Sequence, residues 1–191
     1  MRLIIEQNYE QLSKWAAEHV IERINSFNPT PDHKFVLGLP TGSSPIKDMY
    51  VLLRAVDVVE EVVGHERVVA LGVLLRQTDI LVHVESENVL ERHTIVANSR
   101  FFDNDVKKVP TTALTVGVGT VMSAREVMIL VNGHNKTRAL QAAVEGPVTQ
   151  MWTISVLQMH QHGIIVCDEA ATDELKVSTY RYFKDIEKNN L

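Results

Sequence analysis

The stretch Phe35-Val-Leu-Gly-Leu-Pro-Thr-Gly-Ser-Ser-Pro45 constrains this chain more than any other. Phe35–Leu39 is an apolar run of strand length, and it ends abruptly in a cluster of turn residues. Gly42 lets backbone approach a ligand closely, and the hydroxyls of Thr41, Ser43 and Ser44 are neutral donors. A helix starting near Pro45 would point its first, unpaired N–H groups back at this loop. Strand, small-residue loop and helix start together make an arrangement that binds phosphate. The same composition also describes an ordinary turn. It is not a P-loop, because no Lys follows the second glycine.

The flanking sequence places this stretch in an α/β fold. Leu3-Ile4-Ile5 reads as a short strand. Asn8 can cap the next helix, with Gln11 completing a capping box. Leu12, Trp15, Ala16, Val20 and Ile24 then recur at helical spacing over Tyr9–Phe27, and Asn28-Pro-Thr-Pro31 stops the run. Strand, helix and strand with this crossover predict a βαβ unit, hence a parallel sheet with both faces covered. Ile46–Arg54 begins another helical pattern. From Val51 to His93 the chain is Val- and Leu-rich with little punctuation. Val68–Leu75 and Ile80–Val84 fit strands there, and Val56–Val63 fits strand or helix. The ionisable residues of this segment show no spacing that specifies a site.

Punctuation returns at Thr94. Ala113–Val118 fits a buried strand, and Gly117-Val-Gly119 after it holds only two glycines of a dinucleotide-binding pattern, since Met122 stands in the third place. Ser123 is placed to cap a short helix before the strand Val127–Val131. Asn132–Asn135 is a turn, and Lys136 begins a helix that Gly146-Pro147 ends. Trp152–Met159 suits a helix, Ile164–Cys167 a last short strand, and Thr172–Glu187 an amphipathic helix carrying Leu175, Val177, Tyr180, Phe183 and Ile186. The expected fold is a doubly wound α/β domain, its sheet mostly parallel with helices on both faces.

Charge and composition remove several function classes. A net charge of −5 gives no footprint for nucleic acid or an anionic membrane. The longest apolar stretch, Val68–Leu75, is far short of the ~20 residues of a membrane helix. One cysteine, Cys167, leaves no internal disulfide framework and no Cys-rich zinc site, and it reads as a core residue. The N-terminal apolar run is too short for a signal peptide. A cytosolic protein is expected.

Two cations stand out. Lys136 lies where a strand ends and a helix starts, and Arg100 lies in a polar patch ahead of a strand. In a parallel α/β sheet the carboxyl ends of the strands line the ligand crevice, so Lys136 and the Thr41–Ser44 loop would share that edge. A cation beside a hydroxyl-rich loop suits a phosphate monoester. His160 and His162 alternate as on a strand face, without an acidic or Cys partner nearby in sequence.

The blocks Lys14-Trp-Ala-Ala17, Phe35–Pro45, Ile95-Val-Ala-Asn-Ser-Arg-Phe-Phe-Asp-Asn-Asp105, Ala113–Gly119, Met151-Trp-Thr-Ile-Ser155 and Glu174-Leu-Lys-Val177 resemble the glucosamine-6-phosphate deaminase family. The resemblance covers residues 1–53 and 93–191, and it implies one domain over 1–191 in which 54–92 is not family-like. It also implies a doubly wound fold, a homo-hexamer, and metal-free, cofactor-free conversion of glucosamine 6-phosphate and water to fructose 6-phosphate and ammonia. This is an aldose–ketose isomerisation joined to cleavage of a C–N bond, in amino-sugar catabolism. By position, Thr41, Gly42, Ser43 and Ser44 match the phosphate cradle, and Arg100 and Lys136 the phosphate-binding cations. Tyr182, which its helical pattern alone would place in the core, matches a tyrosine of the allosteric site for N-acetylglucosamine 6-phosphate.

Two family blocks have no counterpart. One reads Phe-Asn-Met-Asp-Glu-Tyr and carries the base for the C2 proton. The other reads Asp-Gly-His-Ile-Ala-Phe-Asn-Glu and assists ring opening. The Val-rich segment 54–92 stands between the matching blocks instead, so the sheet is expected to be incomplete relative to the family. No residue is assigned a catalytic role. The expectation is a family member of impaired activity; the alternatives are a non-catalytic sugar-phosphate binder or hexamer-associating protein, and an unstable splice or frame variant.

Overall fold

A computed structural model describes residues 1–38, 68–71, 86–89, 102–115 and 117–190, with the isolated positions Arg92, Ile95, Val96 and Ser99. The expected helix at Ile46–Arg54, the Val56–Val63 element and the Ile80–Val84 strand lie outside the described residues. The chain forms two compact units, Met1–Ile80 with Arg125–Leu191, and Leu81–Ala124.

The first unit is built on strands β1 (Arg2–Glu6), β6 (Val127–Val131) and β7 (Gly163–Asp168), hydrogen-bonded in the order β1-β7-β6. Both pairings are parallel, with Arg2 opposite Ile164 and Val127 opposite Gly163. Side chains alternate across a strand, so each strand feeds both faces. Leu3 and Ile5 point to one face with Val127, Val131, Ile165 and Cys167, where they pack against Leu140, Ala143, Leu157 and Leu175. Ile4, Ile164 and Val166 point to the other, under Leu12. Helix α1 (Tyr9–Phe27) covers this second face, while α3 (Thr137–Val144) and α4 (Val177–Glu187) supply Leu140, Ala143, Tyr180 and Phe183 to the first. Helices on both faces explain why β7 is buried along its whole length and reads as a continuous apolar run. The expected doubly wound arrangement is present.

The crossover is wider than a simple βαβ unit. β2 (Phe35–Gly38) pairs in parallel with β3 (Val68–Leu71), and not with β1. Helix α1 reaches both sets of strands, since Ala16, Ala17, Val20 and Ile24 pack against Phe35, Leu37, Met128 and Leu130. β2 is not fully buried as expected: Val36 is 61% exposed.

The caps refine the helix limits. The Asn8 side chain accepts from the Gln11 N–H at 3.0 Å, as a cap should. The reciprocal half of the box is displaced, because the Gln11 side-chain oxygen Oε1 accepts the Gln7 N–H and not that of Asn8. Asn28 ends α1 in the left-handed region, φ 50°, returning its N–H to Ile24 and Asn25. α4 starts at Val177, five residues later than the pattern suggested, because Glu169–Thr172 winds a separate 3₁₀ turn first. Trp152–Met159 is likewise a 3₁₀ helix from Thr153. His160 closes it and its Nδ1 accepts the His162 N–H at 3.0 Å, so the two histidines belong to a turn and not to a strand face.

In the second unit β4 (Ser86–Val89) and β5 (Thr112–Thr115) pair antiparallel. Asp105 caps the 3₁₀ turn Val106–Lys108, and Val109 is buried after it. Helix α2 (Val118–Met122) starts at Gly117 and ends at Ser123, whose hydroxyl donates to the Thr120 carbonyl. Ser123 therefore caps a short helix ahead of β6, as expected, and does so at its C-terminal end.

Candidate functional site

All three strands of the main sheet run the same way, so their carboxyl ends, Glu6, Val131 and Asp168, lie along one edge. This is the edge where parallel α/β sheets present ligand-binding loops. After β6 the chain turns through Gly133 at φ +81°, a conformation that favours glycine. A 3₁₀ turn, His134–Lys136, follows, and Lys136 is the cap of α3. The Lys136 N–H donates to the Gly133 carbonyl at 3.0 Å. Its side chain is exposed, and its ammonium makes no ion pair or hydrogen bond among the described residues.

Asp168 ends β7 and is 7% exposed. Its carboxylate accepts the Gly133 N–H with both oxygens, at 2.9 and 3.1 Å, and the Ala171 N–H at 3.0 Å. The loop after β6 is thus tied to the loop after β7. Two exposed contacts run alongside: His134 Nδ1 to Asp173 at 2.6 Å, and Arg138 to Glu174 at 3.6 Å.

The neighbouring groups are already engaged. Glu169 accepts from the Tyr180 hydroxyl and the Lys184 ammonium, both at 2.9 Å, and Lys184 also donates to the Ile5 carbonyl. Burial raises the Tyr180 phenol, and the bond to Glu169 raises it further. Burial likewise raises the Glu6 carboxyl, against the pull of Lys184. The Cys167 thiol is pushed far above its ordinary value by burial and then by Asp168 and Glu169, so it is an inert core thiol. Among the described residues no cluster of three His, Cys, Asp or Glu is placed to hold a metal ion. No described helix is long and apolar enough to cross a membrane.

Of the site residues expected from the sequence, Lys136 stands on the carboxyl edge. Thr41, Gly42, Ser43, Ser44 and Arg100 lie outside the described residues. Tyr182 is 60% exposed on α4 with its ring edge-on to Phe183, where its helical pattern alone placed it in the core. Asp168 was not singled out by the sequence. Its cap over Ala171 was legible in Asp-Glu-Ala-Ala, but its bond to Gly133 spans 35 positions and leaves no local signature.

A parallel sheet wrapped by helices on both faces, with a lysine on its carboxyl edge, defines a Rossmann-like α/β protein. A solved monomeric glucosamine-6-phosphate deaminase of the NagB superfamily matches it with a TM-score of 0.69, covering 90% of this chain and 98% of that one at 21% identity. The 6-phosphogluconolactonase of Trypanosoma cruzi shares the fold at a TM-score of 0.61 and 13% identity, over 92% of this chain and 97% of its own. By sequence the chain is 46% identical to the glucosamine-6-phosphate deaminase of Phocaeicola vulgatus, over 100% of each chain. It is 44% identical to that of Bacteroides thetaiotaomicron, over 100% of this chain and 97% of the relative. The chain belongs to the glucosamine-6-phosphate deaminase family. No protein-family model matches it. The Phocaeicola vulgatus alignment runs over 263 positions against 191 residues here, so 263 − 191, at least 72 positions, face no residue of this chain.

Proposed function

We propose that this protein binds a phosphorylated amino sugar, glucosamine 6-phosphate, at the carboxyl edge of its sheet, and deaminates it weakly or not at all. The observation that carries the binding half is Lys136: an exposed ammonium without a protein partner among the described residues, on the ligand edge of a family fold. In this reading Thr41, Gly42, Ser43, Ser44 and Arg100 are further phosphate-binding residues by their match to the family's blocks, each charged hydrogen bond contributing roughly 1.5–3 kcal/mol. Tyr182, exposed on α4, is the remnant of the allosteric site.

The impaired half is supported by what the alignment leaves unfilled. At least 72 positions of the relative have no residue here, and neither Phe-Asn-Met-Asp-Glu-Tyr nor Asp-Gly-His-Ile-Ala-Phe-Asn-Glu occurs in the sequence. Aldose–ketose isomerisation needs a base at C2 and proton delivery to O1 and O5. One positioned acid or base contributes ~10²–10⁴-fold, and holding the phosphate does not replace it, because uniform binding lowers no chemical barrier. A non-catalytic sugar-phosphate binder is the second reading, favoured by the same missing blocks. A single domain over 1–191, a cytosolic location and a homo-hexamer accompany this proposal as expectations.

Thermal unfolding with and without glucosamine 6-phosphate tests the binding half. The ligand is expected to raise the melting temperature, and Arg100→Ala to reduce that rise. A rise that Arg100→Ala leaves intact would remove Arg100 from the phosphate-binding residues.

A further inference from the structure

We propose that Asp168 is a positioning residue for Lys136, acting through the backbone of Gly133. The inference rests on the reading of Lys136 as a phosphate-binding cation. Asp168 is almost fully buried at the end of β7, and both of its oxygens take the Gly133 N–H. A buried carboxylate is costly unless hydrogen-bonded, so this one holds its two amide partners firmly in place. Gly133 in turn accepts the Lys136 N–H through its carbonyl. The carboxylate therefore fixes the Asn132–Gly133 peptide at the entry to the turn, the carbonyl of the next peptide accepts the Lys136 N–H that closes the 3₁₀ turn, and the turn sets where the lysine stem leaves the backbone. Two further contacts in and just after this turn among the described residues, His134–Asp173 and Arg138–Glu174, are largely exposed and screened by water, so they contribute little.

Electrostatics and positioning predict opposite results here. Removing a negative charge near an anion pocket strengthens phosphate binding by Coulomb's law. Loosening the turn that carries the cation weakens it. A weaker complex after loss of Asp168 therefore reads out positioning specifically. Gly133→Ala offers an independent route to the same turn: a Cβ there meets nothing within 4 Å, so its only effect is strain at φ +81°.

The test compares the wild-type chain with Asp168→Ala, Asp168→Asn, Gly133→Ala, Lys136→Ala and the Asp168→Ala/Lys136→Ala double variant. Calorimetric titration with fructose 6-phosphate, against fructose as control, gives the phosphate-dependent affinity. Amide hydrogen exchange over residues 133–137 reports the turn without any ligand. Asp168→Ala is expected to weaken fructose 6-phosphate binding about tenfold and to speed exchange at Gly133 and Lys136. Asp168→Asn keeps one oxygen for both Gly133 and Ala171 and should stay within about threefold of wild type. Gly133→Ala should reproduce Asp168→Ala, and the double variant should bind no worse than Lys136→Ala. Unchanged exchange and affinity in Asp168→Ala, tighter binding, or losses that multiply in the double variant would overturn the inference. An affinity indifferent to Lys136→Ala would overturn the phosphate reading itself, and the functional half of this inference with it; faster exchange in Asp168→Ala would then still establish the anchoring alone. A wild-type chain with no phosphate-dependent affinity overturns both.

Discussion

Ser13 is fully buried in α1, and its hydroxyl has no hydrogen-bond partner among the described residues. A buried hydroxyl left unpaired costs about 1–3 kcal/mol, and Ser is also a poorer helix former than Ala. Ser13→Ala is therefore expected to raise the stability by about 1 kcal/mol, or roughly 2–4 °C in melting temperature for a chain of this size. Scanning calorimetry checks it, and a lower melting temperature would show that the hydroxyl is paired. Legibility at this scale follows from how local each cause is. Lys136 was visible because a strand pattern stops, a turn intervenes and a helix pattern starts. Cys167 was visible because an apolar neighbourhood surrounds it. Tyr182 was misplaced by helical pattern alone, since Tyr180 and Phe183 already fill the buried face of α4. The role of Asp168 was hidden because its decisive partner belongs to another strand's loop.

Elements join at their ends as well as through their faces. Arg2 at the start of β1 donates through two nitrogens to Glu187 at the end of α4, at 3.1 and 2.8 Å, and Asn190 adds a third bond at 2.8 Å. Burial pushes the Glu187 carboxyl up, but the bond from Arg2, then that from Asn190, outweighs it and holds the group below the ordinary carboxylate value. A carboxyl lowered in the folded state binds its proton more readily when unfolded. Its stabilisation is complete above the unfolded value, near ~4.3, and is lost as pH falls through the lower folded value. Glu187→Gln is expected to lower the melting temperature at pH 7 and to flatten its fall on the acid side. Thermal melts from pH 7 down to pH 3 check this; parallel wild-type and variant curves would contradict it. Arg2→Ala should cost about 1.5 kcal/mol, the low end for a charged hydrogen bond, because the guanidinium is partly exposed. The period of α1 and its Asn28 stop were plain in the sequence. The start of α4 was not, since Leu175 is buried ahead of the helix and continues its apolar pattern. The pairing of β4 with β5 was hidden too, because Ser86-Glu-Asn-Val89 carries no strand alternation.

At the scale of the molecule, the apolar runs of β1, β6 and β7 and the amphipathic helices between them were enough to predict a doubly wound sheet. Which strands adjoin was not legible, because α1 covers strands from two pairings. The alignment with the Phocaeicola vulgatus deaminase spans the whole of this chain. On the proposed reading, the absence of the two family blocks from the sequence is the feature with the largest functional consequence. Loss of even one general base predicts turnover at least ~10²-fold below a complete relative. The most direct measurement is ammonia release from saturating glucosamine 6-phosphate, run beside the Phocaeicola vulgatus deaminase under identical conditions. Sugar-phosphate binding with ammonia release at least about a hundredfold slower is the predicted result; release at a comparable rate would contradict it.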